Sequence, residues 1–301
     1  MHFGCSIPFS DVEDLASFTP RIAASIESRG FESMWVGEHT HLPVETKHPA
    51  TVNGILPERY RRFPDPWVLL AAAAGVTEHL RLGTLIALVA EHNPLVLAKR
   101  IATVDQISRG RVELGVGYGW NKLELINNGV DPARKHAVLR EKLSAMRALW
   151  SGDPVSFEGE FVQFSSSWSL PAPAQPGGPK VHLGCAPTER NLGEVVSMAD
   201  GFLPMHAMLE GDPTAVVTRL RRRAESAGRD PDSIELSVAH TGTSYGRTDL
   251  DKFRSRLPSQ EDLATYRELG VTRVICSIPI VPGDLAERAL DAWRERALQA
   301  A

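Results

Sequence analysis

The stretch NPLVLAKRIATVDQISRGRVELGVGYGW, Asn93–Trp120, decides how the chain is read. Its first half, Pro94–Ile107, carries apolar residues at helical spacing; its second half, Val112–Val116, is a short apolar run suited to a strand buried on both faces. Outward from it in both directions the same alternation recurs. Strands are expected at Phe3–Ile7, Ser33–Val36, Leu80–Leu85, Val112–Val116, Lys180–Gly184, Gly201–Pro204, Glu235–His240 and Arg273–Ser277. Helices are expected at Pro20–Arg29, Pro66–Ala74, Pro94–Ile107, Ala133–Trp150, Arg190–Met198, Thr214–Ala227, Gln260–Leu269 and Leu285–Leu298. Eight strands, each followed by a helix, predict an α/β fold of the (β/α)8 TIM-barrel type. A doubly wound open sheet is the alternative; the count of eight and the lack of a mid-chain linker favour closure. Residues 1–301 read as a single barrel domain.

Punctuation agrees with this layout. Gly30 and Gly270 end the helices before the second and last strands, and Asp131-Pro132 and Asp212-Pro213 each supply an N-cap followed by proline. Two insertions break the repeat. Thr40–Asp65, after strand two, is proline-containing and aperiodic and reads as a long loop over the active face. Ser151–Gly178, before the fifth barrel strand, holds an alternating strip, Val155–Phe164, whose central Glu-Gly predicts a hairpin.

Composition narrows the function classes. Hydrophobic residues make up 43% of the 301 positions, enough for a large core, and the net charge of −4 comes without any basic stretch interleaved with aromatics, so nucleic acid is not an expected partner. The basic run Arg219–Arg223 reads as a solvated helix face. Cys5, Cys185 and Cys276 are odd in number and far apart, which supports neither a disulfide framework nor a zinc ribbon. The start lacks a charged segment followed by an apolar one, and Val68–Val76 is too short to span a bilayer. A cytoplasmic protein acting on a small molecule, without a membrane partner, is expected.

In such a barrel the reactive groups come from the C-terminal ends of the strands. After strand two stand Glu38, His39, Thr40 and His41, a carboxylate beside two imidazoles; His39 is the candidate for donating a hydrogen bond or moving a proton, with Glu38 as its orienting partner. A plain polar loop is the ordinary alternative. The spacing of His39 and His41 also suits a metal-dependent hydrolase, but later strand ends do not follow through: His182 falls inside a strand, and although His206 and His240 are possible ligands, no acidic ligand directly follows the last strand, which runs into apolar Ile278–Pro282. After strand four, Gly117, Tyr118, Gly119 and Trp120 form a glycine-rich turn that lets a flat ring or backbone approach, though its spacing is not a dinucleotide fingerprint. After the fifth barrel strand, Gly184, Cys185, Ala186, Pro187 and Thr188 open a helix, either a simple capped turn or an anion site. Cys185 reads as a packing residue, because no base is placed beside it. No GxSxG, Walker or HExxH motif is present.

GFESMWVGEH (Gly30–His39), LRLGTLI (Leu80–Ile86), the Asn93–Trp120 block, NNGVDPAR (Asn127–Arg134) and MADGFLP (Met198–Pro204) together resemble the bacterial luciferase-like superfamily over nearly the whole chain. Within it, EHTHLP and NGVDPAR look like a branch that uses the deazaflavin coenzyme F420. The resemblance implies a coenzyme ring at the barrel mouth, backed by a non-proline cis peptide at Leu85-Ile86, followed by Ala87. It also implies His39 and Glu38 beside the ring, Gly117, Tyr118 and Gly119 flanking the phosphate and ribityl chain, and the phosphate loop at Gly184–Thr188; Tyr118 and Trp120 are expected to line the pocket. Hydride transfer with F420 is the expected activity, oxygen chemistry with FMN the alternative, and a metal-dependent hydrolase or a non-catalytic flavin-binding protein remote ones. A homodimer is usual in the family. Two departures stand out: Trp120 occupies a position where several F420-dependent sugar-phosphate dehydrogenases carry a catalytic glutamate, and Cys185 stands where glycine is frequent.

Overall fold

The structure, a computed structural model, describes residues 1–9, 12–46, 58–209, 211–240, 249–279 and 284–299. Parts of the expected loop after strand two (47–57) and of the apolar run after the last strand (280–282) lie outside the described residues. Strands β1 (His2–Ser6), β2 (Ser33–Val36), β3 (Arg81–Thr84) and β4 (Val112–Val116) are followed by a hairpin of β5 (Val155–Glu158) and β6 (Gln163–Ser167). Then come β7 (Lys180–Leu183), β8 (Gly201–Phe202), β9 (Glu235–His240) and β10 (Arg273–Ser277). All but the hairpin pair in parallel, β4 bonds directly to β7, and β10 returns to β1, so the barrel is closed. The fold is the expected (β/α)8 barrel.

Around it lie α1 (Leu15–Ser28), α2 (Pro66–Ala74), α3 (Pro94–Ser108), α4 (Lys122–Asn127), α5 (Lys135–Leu149), α6 (Glu189–Met198), α7 (Pro213–Ser226), α8 (Leu250–Arg254), α9 (Gln260–Glu268) and α10 (Leu285–Gln299). Local chemistry sets their starts. Asp65 and Asn93 accept backbone N–H bonds from the first turns of α2 and α3, each with proline at the first helical position. α1 begins five residues before the expected Pro20: Asp14 caps it, and Pro20 is carried inside the helix. The hairpin turn is held by α5, whose Glu141 carboxylate accepts the N–H groups of Glu160, Phe161 and Val162.

Two apolar layers result. One lies between strands and helices; the other fills the barrel with Trp35, Leu203, Ala239 and Ile275, joined by Leu85. Gly83 is required beside this inner layer, because a Cβ there would collide with the Trp35 indole. The N-terminal end of the barrel is plugged by charge. Arg273 bonds Glu32 at 2.6 Å and reaches Glu113 at 3.4 Å, and Glu113 accepts from His182 Nε2 at 2.7 Å. Burial alone would raise the Glu113 carboxyl, but the His182 bond and the Arg273 and Arg81 charges outweigh it and bring it down to about 2. A cavity of about 690 Å³ opens at this end, lined in part by Glu32, Arg81, Glu113 and Arg273. Among the described residues no helix is long and apolar enough to cross a membrane.

Candidate active site

At the C-terminal end of the barrel the chain after β3 turns inward. Leu85 N–H bonds Val36 O, the Leu85–Ile86 peptide is cis, and Ala87 exchanges bonds with Gly115 O and Gly117 N–H beside β4. The Ile86 side chain then lies across two glycines from neighbouring strands. A Cβ on Gly117 would collide with Ile86 Cδ1, and one on Gly184 would stand 2.8 Å from Ile86 Cγ2. Three expected site segments, 85–87, 117 and 184, are thus brought together as one uncharged wall. The space these glycines leave is filled by Ile86.

His39 stands on the loop that leaves β2. Its Nδ1 lies 2.7 Å from Glu124 Oε2, while Glu124 Oε1 accepts the Thr40 N–H at 3.1 Å. A carboxylate only accepts, so Nδ1 carries the proton. On the other side the Trp120 indole N–H, a donor only, points at His39 Nε2 at 3.3 Å, so that nitrogen presents a lone pair. Both partners give the same tautomer: a neutral imidazole whose accepting nitrogen faces the rim. Phe63 and Trp120 meet the ring edge-on, with centroids 4.9 and 5.5 Å away.

Glu124 is positioned from within its own helix. Asn121 caps α4, accepting the N–H groups of Leu123 and Glu124, and its amide bonds Thr46 Oγ1 at 2.8 Å. That fixes the first turn, and Glu124, fully buried, projects from it toward His39.

The expected pairing of Glu38 with His39 is not the one formed. Glu38 accepts the Leu88 N–H at 2.6 Å and pairs with His92 Nε2 at 2.9 Å. Successive residues of an extended segment point to opposite sides, so the neighbour in sequence is directed elsewhere. Tyr118 also departs from the rim: it is buried, donates its hydroxyl to Glu194 on α6, and stacks on His136 at 3.9 Å. Burial and Glu194 push that phenol upward, so it stays a donor. Trp120, 42% exposed, does stand at the rim.

The segment after β7 leads into α6. Thr188 caps the helix by accepting the Asn191 N–H, Asn191 in turn bonds Ala186 O, and Arg219 bonds Pro187 O at 3.0 Å. Cys185 is buried, and desolvation followed by the Glu194 charge pushes its thiol to about 12, which suits packing and not nucleophilic work. Of the histidines considered as ligands, His206 and His240 lie against each other, with ring centroids 4.4 Å apart, while His41 stands elsewhere, and each is engaged by other partners. His41 bonds Thr40 Oγ1 and Asn127, His206 bonds Tyr266, and His240 bonds Arg256 O. Among the described residues no three His, Cys, Asp or Glu side chains group as a metal site.

A sequence profile described as luciferase-like monooxygenase matches residues 1–272. The chain belongs to the luciferase-like monooxygenase family. An uncharacterised protein of Mycobacterium tuberculosis is 42% identical over 285 residues, 93% of this chain and 92% of its own. A phthiodiolone/phenolphthiodiolone dimycocerosates ketoreductase of Mycobacterium kansasii is 31% identical over 242 residues, 76% of this chain and 64% of its own. Two solved structures share the barrel. Monooxygenase RslO1 from Streptomyces bottropensis superposes with a TM-score of 0.76 at 20% identity over 99% of both chains. An F420-dependent secondary alcohol dehydrogenase, in complex with an F420-acetone adduct, does so with a TM-score of 0.72 at 18% identity over 100% of this chain and 99% of its own.

In this luciferase-like protein the residues that sequence reasoning passed over are Glu124, Asn121, Glu91 and Phe63. One signal was available: Asn121-Lys122-Leu123-Glu124 has the spacing of an N-cap followed by a third-position glutamate. It marks a helix start, though nothing in it says that the glutamate turns toward a residue 85 positions earlier.

Proposed function

We propose that this luciferase-like oxidoreductase interconverts a small alcohol and its carbonyl compound with coenzyme F420. The observation that carries the reading is the buried Glu124–His39 pair, which presents a proton-accepting Nε2 at the barrel rim. The wall of Leu85, Ile86, Gly117 and Gly184 is uncharged and suits the face of a planar ring, and the Thr188-capped start of α6 suits its phosphate. When bound, the coenzyme supplies the hydride chemistry. The chain supplies proton exchange. In the alcohol-to-carbonyl direction Nε2 of His39 takes the hydroxyl proton; in the reverse direction the imidazolium returns it to the nascent alkoxide. Glu124, buried and fixed by the Thr40 N–H, stabilises the imidazolium and holds the ring in register. Trp120 Nε1 must release Nε2 as substrate arrives, and its exposed position permits that.

Relatives and fold neighbours support the direction: a ketoreductase and an alcohol dehydrogenase both make or break a carbonyl with net transfer of hydride and proton. FMN with oxygen is the reading that competes, and the coenzyme decides between them. Purified protein is incubated with F420 and a panel of secondary alcohols, or with reduced F420 and ketones, and the coenzyme is followed spectroscopically. Turnover is expected, and His39→Asn is expected to lose about 10²–10⁴-fold in kcat with coenzyme binding retained. Turnover of F420 by His39→Asn at the wild-type rate would refute the role given to that imidazole.

A further inference from the structure

Behind the His39 loop three buried carboxylates meet. Glu38 comes from the end of β2, Glu91 from the turn after β3, and Glu124 from α4; they are 5%, 6% and 0% exposed. Asn128 ties two of the segments together, donating from Nδ2 to Glu91 Oε2 and to Glu124 O, both at 3.0 Å. Glu91 Oε1 lies under Gly119, where a Cβ would stand 3.0 Å from it.

The three differ in what faces them. Glu38 has the Leu88 N–H and the His92 imidazole; Glu124 has the Thr40 N–H and the His39 imidazole. Glu91 has one neutral amide, from Asn128, and its Oε1 is buried without a hydrogen-bond partner. The two lysines that α5 brings to this side are engaged elsewhere: Lys142 bonds the carbonyls of Ala90 and His92, and Lys135 bonds Gly119 O. Like charges at this separation from water do not all ionise, and the proton settles on the member with the poorest set of donors.

We propose that Glu91 is the proton-holding member of this cluster and a positioning residue for His39, whose ionisation places a second negative charge behind Glu124 and makes the imidazolium harder to discharge. The inference rests on the proposed role of His39 for its catalytic consequence, while the coupling itself needs neither coenzyme nor substrate. Desolvation, then the charges of Glu124 and Glu38, raise the Glu91 carboxyl to about 8, against smaller opposing effects of Asn128 and Lys142. Linkage is reciprocal: a proton arriving on His39 makes Glu91 easier to ionise, and an ionised Glu91 holds the His39 proton more firmly. Carbonyl reduction, which needs that proton released, should therefore fall above about pH 8.

The test uses the whole apoprotein labelled with ¹⁵N-histidine, the His39 ring resonances being assigned by their loss in His39→Asn. Their shifts are followed with pH in wild type, Glu91→Gln and Asn128→Ala. Glutamine keeps the shape of the neutral acid, so Glu91→Gln should abolish an inflection near pH 8. Asn128→Ala removes the donor that favours the anion and should move the inflection upward, by a few tenths of a pH unit or more. Superimposable wild-type and Glu91→Gln curves would overturn the proposal. So would the absence of any such inflection in wild type, which settles the matter even if Glu91→Gln does not fold. A wild-type inflection that Glu91→Gln removes, in a protein that turns over no F420, would leave the coupling standing and sink the coenzyme reading alone.

Discussion

His39 and Glu124 touch although 85 positions separate them, and the contact depends on Asn121. Replacing Glu124 by Gln keeps the volume but removes the negative charge that sustains the imidazolium. It is expected to lower kcat by about 10²-fold, with KM little changed, in steady-state assays of alcohol oxidation. Asn121→Ala strips the cap from α4 at a cost of about 1 kcal/mol and lets Glu124 drift, so a larger fall in kcat than in thermal stability is expected. A wild-type kcat in Asn121→Ala would show that α4 needs no cap to hold Glu124. At this scale the sequence was half legible. His39 could be singled out because a strand end in a barrel is where chemistry gathers. Its partner could not, because Glu38 was adjacent in the chain while Glu124 was adjacent only in space.

Ile86 and the glycines facing it form one packing unit built from three strand ends. Gly117→Ala drives a methyl into Ile86 Cδ1 and should destabilise the protein by about 1–3 kcal/mol in chemical denaturation. Ile86→Ala made in the same chain should recover part of that loss, since the collision is with this side chain. Full additivity of the two changes would contradict the contact. Strands were legible as elements, because both faces are buried and the residues are correspondingly apolar. β8 is shorter than Gly201–Pro204, yet Leu203 still bonds Leu183 O; Pro204 has no N–H to give, and beyond it a single bridge, Met205 to Ala239, continues the pairing. α4 and α8, six and five residues long, escaped detection because periodicity needs more than one or two turns to declare itself.

Across the whole molecule the two ends of the barrel do different work. The N-terminal end is closed by Arg273, Glu113 and Glu32, whose charges offset one another, and by His182, which is hydrogen-bonded to Glu113. Glu113 sits at about 2 in the folded chain, below its ordinary 4.5. A carboxyl lowered on folding stabilises fully above its unfolded value and loses that contribution as pH falls through the folded one. Melting temperature should therefore drop between about pH 4.5 and pH 2, by the equivalent of roughly 3 kcal/mol for this group. Part of that dependence should vanish in Glu113→Gln, at a cost in stability near neutral pH. A Glu113→Gln protein with the same acid limb as wild type would assign it to other carboxylates. The family likeness also leads us to propose a homodimer, for which sedimentation should give about twice the monomer mass.

At the other end of the barrel, we propose, the rim around His39, Ile86 and Gly184 receives the deazaflavin ring. Side-by-side calorimetric titration of the protein with F420 and with FMN tests this directly. Micromolar binding of F420, much weaker binding of FMN, and retention of F420 affinity in His39→Asn are predicted. Tight binding of FMN with none of F420 would contradict it.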